Sequence, residues 1–194
     1  MNLQPESKPD DQADPHSPSR SDELTRLLAE YDAAQRYSLA LVDGLEPDQI
    51  SWRPNENSSA MAWHLGHQAA VNHYMVRNLT AAEVSFDQDF DALFDSATPE
   101  PGRGDLPPLD EIVDYRRAIA ASTRSVVGRI TAGDVGAPAQ LTLIADGLLR
   151  AVINHEYQHA KWVGEVRASM IDGPLPTPDS TGLIEVEGYW MVGT

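Results

Sequence analysis

The segment AVINHEYQHAKWVGEVR, residues 151–167, carries a periodicity and a motif that together decide the fold. Leu148, Val152, His155, His159, Trp162 and Val166 recur at three- and four-residue spacing, which lines them along one helix face. The pattern predicts a helix from about Thr142 to Ile171, stopped by Asp172-Gly173-Pro174. Inside it, HEYQH places His155 and His159 one turn apart, so two imidazoles can point at one ion. Glu156 lies about 100° around the helix, where it could act as a base or hold a histidine from behind. The plain alternative is a pair of histidines on a wet helix face.

Three more helices follow from the same kind of periodicity. Ser21 is the expected N-cap of the first, whose stripe runs Leu24, Leu27, Leu28, Tyr31, Ala34, Ser38, Leu41 and Leu45, with Gly44 and Pro47 ending it. The second spans about Ala60 to Leu79, with Met61, Trp63, Leu65, Ala70, Val71 and Tyr74 on its apolar face. The third runs from about Leu109 to Thr131, with Ile112, Tyr115, Ile119, Val126 and Ile130 in register. Four amphipathic helices without a convincing run of strands predict an all-α fold, a four-helix bundle with a long connection between helices two and three. Residues 1–20 read as a disordered tail, 21–174 as the bundle and 175–194 as an irregular strap packed on it, with a lid or homodimer contact as alternatives for the strap.

The long connection contains FDQDFDALFD, residues 86–95. Asp87, Asp89 and Asp91 imitate the start of a calcium loop, but Ala92 replaces its turn glycine and Thr98 its closing glutamate. An acidic connection anchored by phenylalanines is the better description. Its length suggests a short helix or a cover over a site.

Composition narrows the function. A net charge of −16 with no dense Lys/Arg run disfavours nucleic acid and anionic membrane surfaces as partners. No cysteine is present, which removes disulfides, thiolate metal sites and cysteine nucleophiles. With no signal-like or membrane-spanning apolar run, a soluble cytoplasmic protein acting on a small molecule is expected.

H-E-x-x-H is also the mark of zinc peptidases, but the peptidase arrangement lacks a third ligand here. Trp162 and Glu165 stand where one peptidase pattern needs Gly and His, and Glu165 is about 240° around the helix from His159. Glu185 and Glu187 lie beyond Gly173-Pro174-Leu175-Pro176 rather than on a following helix. A better partner lies upstream, where MAWHLGHQ puts His64 and His67 on the second helix. A histidine from this pair, facing His155 and His159 across the bundle, completes a three-imidazole site with open positions. His73, about 240° from His67, is expected to face solvent or another partner.

SWRP, SSAMAWHLGHQ and GLLRAVINHEYQHAKWVGEVR together resemble the DinB-like metal-binding bundles, also called the YfiT-like superfamily, over roughly residues 21–171. The resemblance implies that His67, through its leucine-x-His element, joins His155 and His159 in holding a divalent ion, with His64 as neighbour. Zinc is the default for three imidazoles, and nickel or iron(II) accept the same set. WHLGH is also similar to the iron-binding domain of ergothioneine-type sulfoxide synthases, whose second catalytic domain has no counterpart in these residues. Relatives include transferases and isomerases that use a low-molecular-weight thiol. The resemblance therefore implies a thiol S-transferase, with Glu156 as base or supporting residue. Thiol-independent hydrolysis or lyase chemistry, and a non-catalytic metal-stabilised bundle, are the competing expectations.

Overall fold

The computed structural model describes residues 19–80, 85–97, 106–180 and 182–193. Among these the chain forms helices α1 (Arg20–Ala40), α2 (Pro47–Ser51), α3 (Met61–Val76), α4 (Gln88–Leu93), α5 (Leu109–Ala132) and α6 (Pro138–Met170). Strands β1 (Leu183–Val186) and β2 (Tyr189–Val192) follow. The fold is thus mostly helical with a small sheet, where an all-α chain was expected. Of the proposed tail at residues 1–20, residues 1–18 lie outside the described residues, while Ser19 caps α1 and Arg20 begins it.

α1 starts two residues earlier than its apolar stripe suggests. Ser19, not Ser21, is the N-cap: its hydroxyl accepts from the Asp22 amide while the Asp22 carboxylate accepts from the Ser19 amide. Ser21 has Leu24 three residues on, which cannot return the bond that Asp22 gives to Ser19. The helix ends at Ala40, and the chain turns through Gly44 at φ 73°. Arg167 of α6 donates to the Leu41 carbonyl at 2.7 Å, supplying the cation that the last turn of α1 lacks.

α3 is the central helix, packing against α6, α5, α2 and α4. Accordingly it is buried nearly all round, and its sequence has little amphipathic contrast. Tyr74, expected on the apolar face, is 72% exposed. α1 packs mainly on α6 and also touches α5, and α5 meets α6. Two apolar clusters fill the interior. One gathers Met61, Leu65, Phe94, Ile112 and Val163, the other Leu24, Leu27, Ile130, Leu149 and Ile153.

A buried polar layer joins α1, α3, α5 and α6. Arg116 meets Glu156 at 2.5 Å, with both side chains at most 2% exposed. Ser38 and Gln35 also donate to the Glu156 carboxylate, and Gln68 donates to its main-chain carbonyl. Arg116 further donates to Gln68, Gln35 and the Leu65 carbonyl. A buried ion pair is tolerated when hydrogen bonds offset its desolvation, and here they do so while joining four helices.

The connection between α3 and α5 holds α4, as its length suggested. Asp87 caps α4 by accepting from the Asp89 and Phe90 amides. The C-terminal segment is a hairpin rather than an irregular strap. β1 pairs antiparallel with β2, from Leu183 opposite Val192 to Val186 opposite Tyr189. Its two-residue turn, Glu187-Gly188, has positive φ at both positions, the geometry that matches strand twist. Glutamate is a poor signal for that turn, so the strand partner within LIEVEGYWMV went unseen. The hairpin docks on α6: the Val192 amide donates to Asn154, and Lys161 donates to the Gly188 carbonyl.

No helix among the described residues is long and apolar enough to cross a membrane.

Candidate metal centre

His155 and His159 share one face of α6, and His67 approaches them from α3. One ring nitrogen from each lies within 4.8 Å of the others. The ring centroids are 4.4 Å apart for His155 and His159, 4.7 Å for His67 and His159, and 5.2 Å for His67 and His155. These are the three histidines expected from sequence, drawn from the two helices expected to carry them.

The surroundings set which nitrogen His67 can offer. His67 Nδ1 lies 2.7 Å from the carbonyl oxygen of Phe94. A carbonyl only accepts, so Nδ1 carries the proton and Nε2 of neutral His67 keeps its lone pair. The ring is held flat by Trp63, stacked at 4.5 Å and 12°. Trp162 packs edge-on against His159 at 4.6 Å. Burial lowers the pKa of His155 to about 4, which keeps it in the neutral, ligating form. Three imidazoles from two packed helices, one of them oriented by a carbonyl, suit a divalent ion of the zinc, nickel or iron(II) type.

The other named residues fall into place around this group. His64 is 7% exposed and touches His159, Nδ1 to Nδ1, at 2.9 Å. Glu156 is 1% exposed, and its carboxylate is engaged by Gln35, Ser38 and Arg116 as described above. His73 does not face solvent. It is 3% exposed, bonded to Asp91 at 3.2 Å and stacked on Phe86. Asp91 also takes bonds from Tyr115, Ser85 and Arg77, so the acidic stretch clips α4 to α3 and α5 instead of presenting a calcium loop. Tyr157 and Gln158 point away from the histidines: Tyr157 donates to Glu30 at 2.8 Å, and Gln158 is exposed.

Sequence reasoning missed two contributors. The Phe94 carbonyl has no signal, because any residue carries one. Arg116 did have a signal: it sits four residues after Ile112 and three before Ile119, a cation on the apolar stripe of α5. A charge in that register requires a buried partner.

Two cavities lie near these elements. The larger, about 830 Å³, opens between α3 and α4 and is lined by Tyr74, Arg77, Ser85 and Asp91 among others. The smaller, about 480 Å³, is lined by Asn57, Ser59, His64, Trp162 and Glu165 among others. The smaller matters more for chemistry, because His64 and Trp162 both contact His159.

The helical architecture and the facing histidines define a helical protein with a candidate His₃ metal centre. The chain matches the DinB superfamily over residues 30–163 and belongs to it. The matched segment contains His64, His67, Glu156 and both histidines of α6. No curated protein matches the chain.

Proposed function

We propose that this protein is a metal-dependent enzyme that transfers the sulfur of a low-molecular-weight thiol to an electrophilic small molecule. The observation that carries the proposal is the convergence of His67, His155 and His159 from two packed helices. We read α1, α3, α5 and α6 as a four-helix bundle that holds these ligands, and zinc as the first metal to test. A divalent ion held there supplies Lewis acidity that favours the deprotonated form of a bound thiol or water. The chain has no cysteine, so the sulfur comes from a diffusible thiol. The cavity bordered by His64 and Trp162 suits the electrophile, since both of these residues contact His159. In the transfer the thiol gives up its proton, its sulfur bonds to the electrophilic carbon, and the leaving group departs with the bonding pair. Glu156 enters as a residue that fixes α6 against α1, α3 and α5, because its carboxylate is already engaged by three donors.

The protein is further proposed to act in the cytoplasm on small molecules, without nucleic-acid or membrane partners, in keeping with its charge of −16. A homodimer is compatible with this proposal.

The test is spectroscopic. With cobalt in place of the native ion, mycothiol or bacillithiol should give a sulfur-to-cobalt charge-transfer band. His155→Ala should abolish the band together with conjugation of an electrophilic test substrate. Turnover of a thiol-free substrate with no thiol-dependent change in the cobalt spectrum would assign the site to hydrolysis or lyase chemistry instead. Tight metal binding with no turnover of either kind would favour a metal-stabilised binding bundle.

A further inference from the structure

His64 and His67 are three residues apart on α3 and therefore share the face turned toward α6. Only His67 belongs to the three-histidine group. His64 instead touches one of its members, with Nδ1 2.9 Å from Nδ1 of His159. The ring centroids are 5.1 Å apart, and the contact is buried.

A hydrogen bond between two ring nitrogens holds one proton, so the two possible arrangements are chemically distinct. If His64 donated, His159 Nδ1 would be the acceptor, and neutral His159 would carry its proton on Nε2. That nitrogen would then have no lone pair for an ion. If His159 donates, its Nε2 keeps the lone pair that ligation needs, and His64 must present an unprotonated Nδ1. We infer that His64 is a positioning residue, the acceptor that selects the Nε2-ligating tautomer of His159, as the Phe94 carbonyl does for His67. A metal-bound histidine usually donates its remaining N–H to a carboxylate, carbonyl or water. Here a second imidazole fills that place. It also gives α3 two holds on α6, one through the ion and one through the His64–His159 bond.

This inference rests on the reading of His67, His155 and His159 as ligands, and the experiment separates the two. Zinc affinity is measured by competition with a chelator for the wild type, His64→Phe and His64→Asn. Phenylalanine keeps a flat ring without an acceptor. Asparagine keeps an acceptor oxygen two bonds from Cβ, where histidine has Nδ1. The expected result is a loss of affinity of about 10- to 100-fold in His64→Phe, with most of it restored in His64→Asn. Nitrogen-15 NMR of the zinc-loaded wild type should show a protonated Nδ1 on His159 and the proton of His64 on Nε2. That measurement decides the matter even where His64→Phe fails to fold. Unchanged affinity in a folded His64→Phe, or a His159 bound to zinc through Nδ1, overturns the inference. A wild-type protein that takes up no zinc, nickel or iron(II) overturns the ligand reading with it.

Discussion

His67 donates from Nδ1 to the carbonyl oxygen of Phe94, 27 residues away in sequence, across 2.7 Å. The approach depends on the residue beside His67. A Cβ at Gly66 would lie 2.3 Å from the ring of Phe94, which is completely buried. Gly66→Ala must therefore displace Phe94, and with it the acceptor that orients His67. We expect a stability loss of about 1–3 kcal/mol, typical of overpacking, and weaker metal binding. Gly128→Ala in α5, where a Cβ meets nothing within 4 Å, is the control and should leave metal binding unchanged. Urea denaturation and zinc titration of the two variants check this.

Alanine at His67, His155 or His159 should each reduce metal content severely. His73→Ala should keep the metal and lose only stability, because its partner is Asp91. Elemental analysis of protein purified without a histidine tag is the measurement. Full occupancy in His67→Ala would remove α3 from the site.

Metal binding should weaken as pH falls. Protons compete for the same lone pairs, beginning near the ordinary imidazole value of about 6.5 and displaced downward by metal affinity. The ion-free protein has its own acid response. Unfolded His155 takes up a proton near 6.5, but the folded residue does so only near 4. Between those values the unfolded state binds more protons, so stability declines as pH falls through that window. Thermal melts of the apo protein across this range, compared with His155→Gln, should show the difference.

The clip around Asp91 predicts a second, more acidic transition. Burial pushes the Asp91 carboxyl up, but bonds from Ser85, Tyr115 and His73 outweigh it and hold the group below its ordinary value of 3.8. A depressed carboxylate contributes stability above that value, and the contribution is lost as pH falls through the folded pKa. Asp91→Asn should be less stable than wild type at neutral pH and should respond less to acid below pH 3.8. Parallel acid titrations by circular dichroism would reveal a failure as coincident curves.

Arg116 and Glu156 are each other's buried partners. Replacing one leaves the other charge uncompensated, so Glu156→Gln or Arg116→Met should cost about 3–5 kcal/mol. If Glu156 served mainly as a base, Glu156→Gln would instead abolish turnover with stability almost unchanged. Measuring both quantities on one preparation separates these outcomes.

Much of this was legible in the sequence. The span of α5 was readable from its apolar stripe, and the structure ends the helix at Gly133 with a φ of 77°. His155 and His159 were readable as a pair because helical spacing alone puts residues four apart on one face. The choice of His67 over His64 came from resemblance to a family, since both share a face of α3. Other features depended on residues far apart in the chain. The polar layer needs Ser38, Gln68, Arg116 and Glu156 at one level of four helices, and no local pattern sets that level. The hairpin escaped notice because its turn residues are weak signals and its docking to Asn154 is a tertiary contact. His73 was expected in solvent or at another partner, and only the folding back of α4 with Asp91 covered it. Sequence by itself determined which faces are apolar and which residue types can hold an ion, because periodicity and side-chain chemistry are local. Tertiary structure alone decided which nitrogen His67 can present and which ring meets His159, because the Phe94 carbonyl and His64 arrive from other segments.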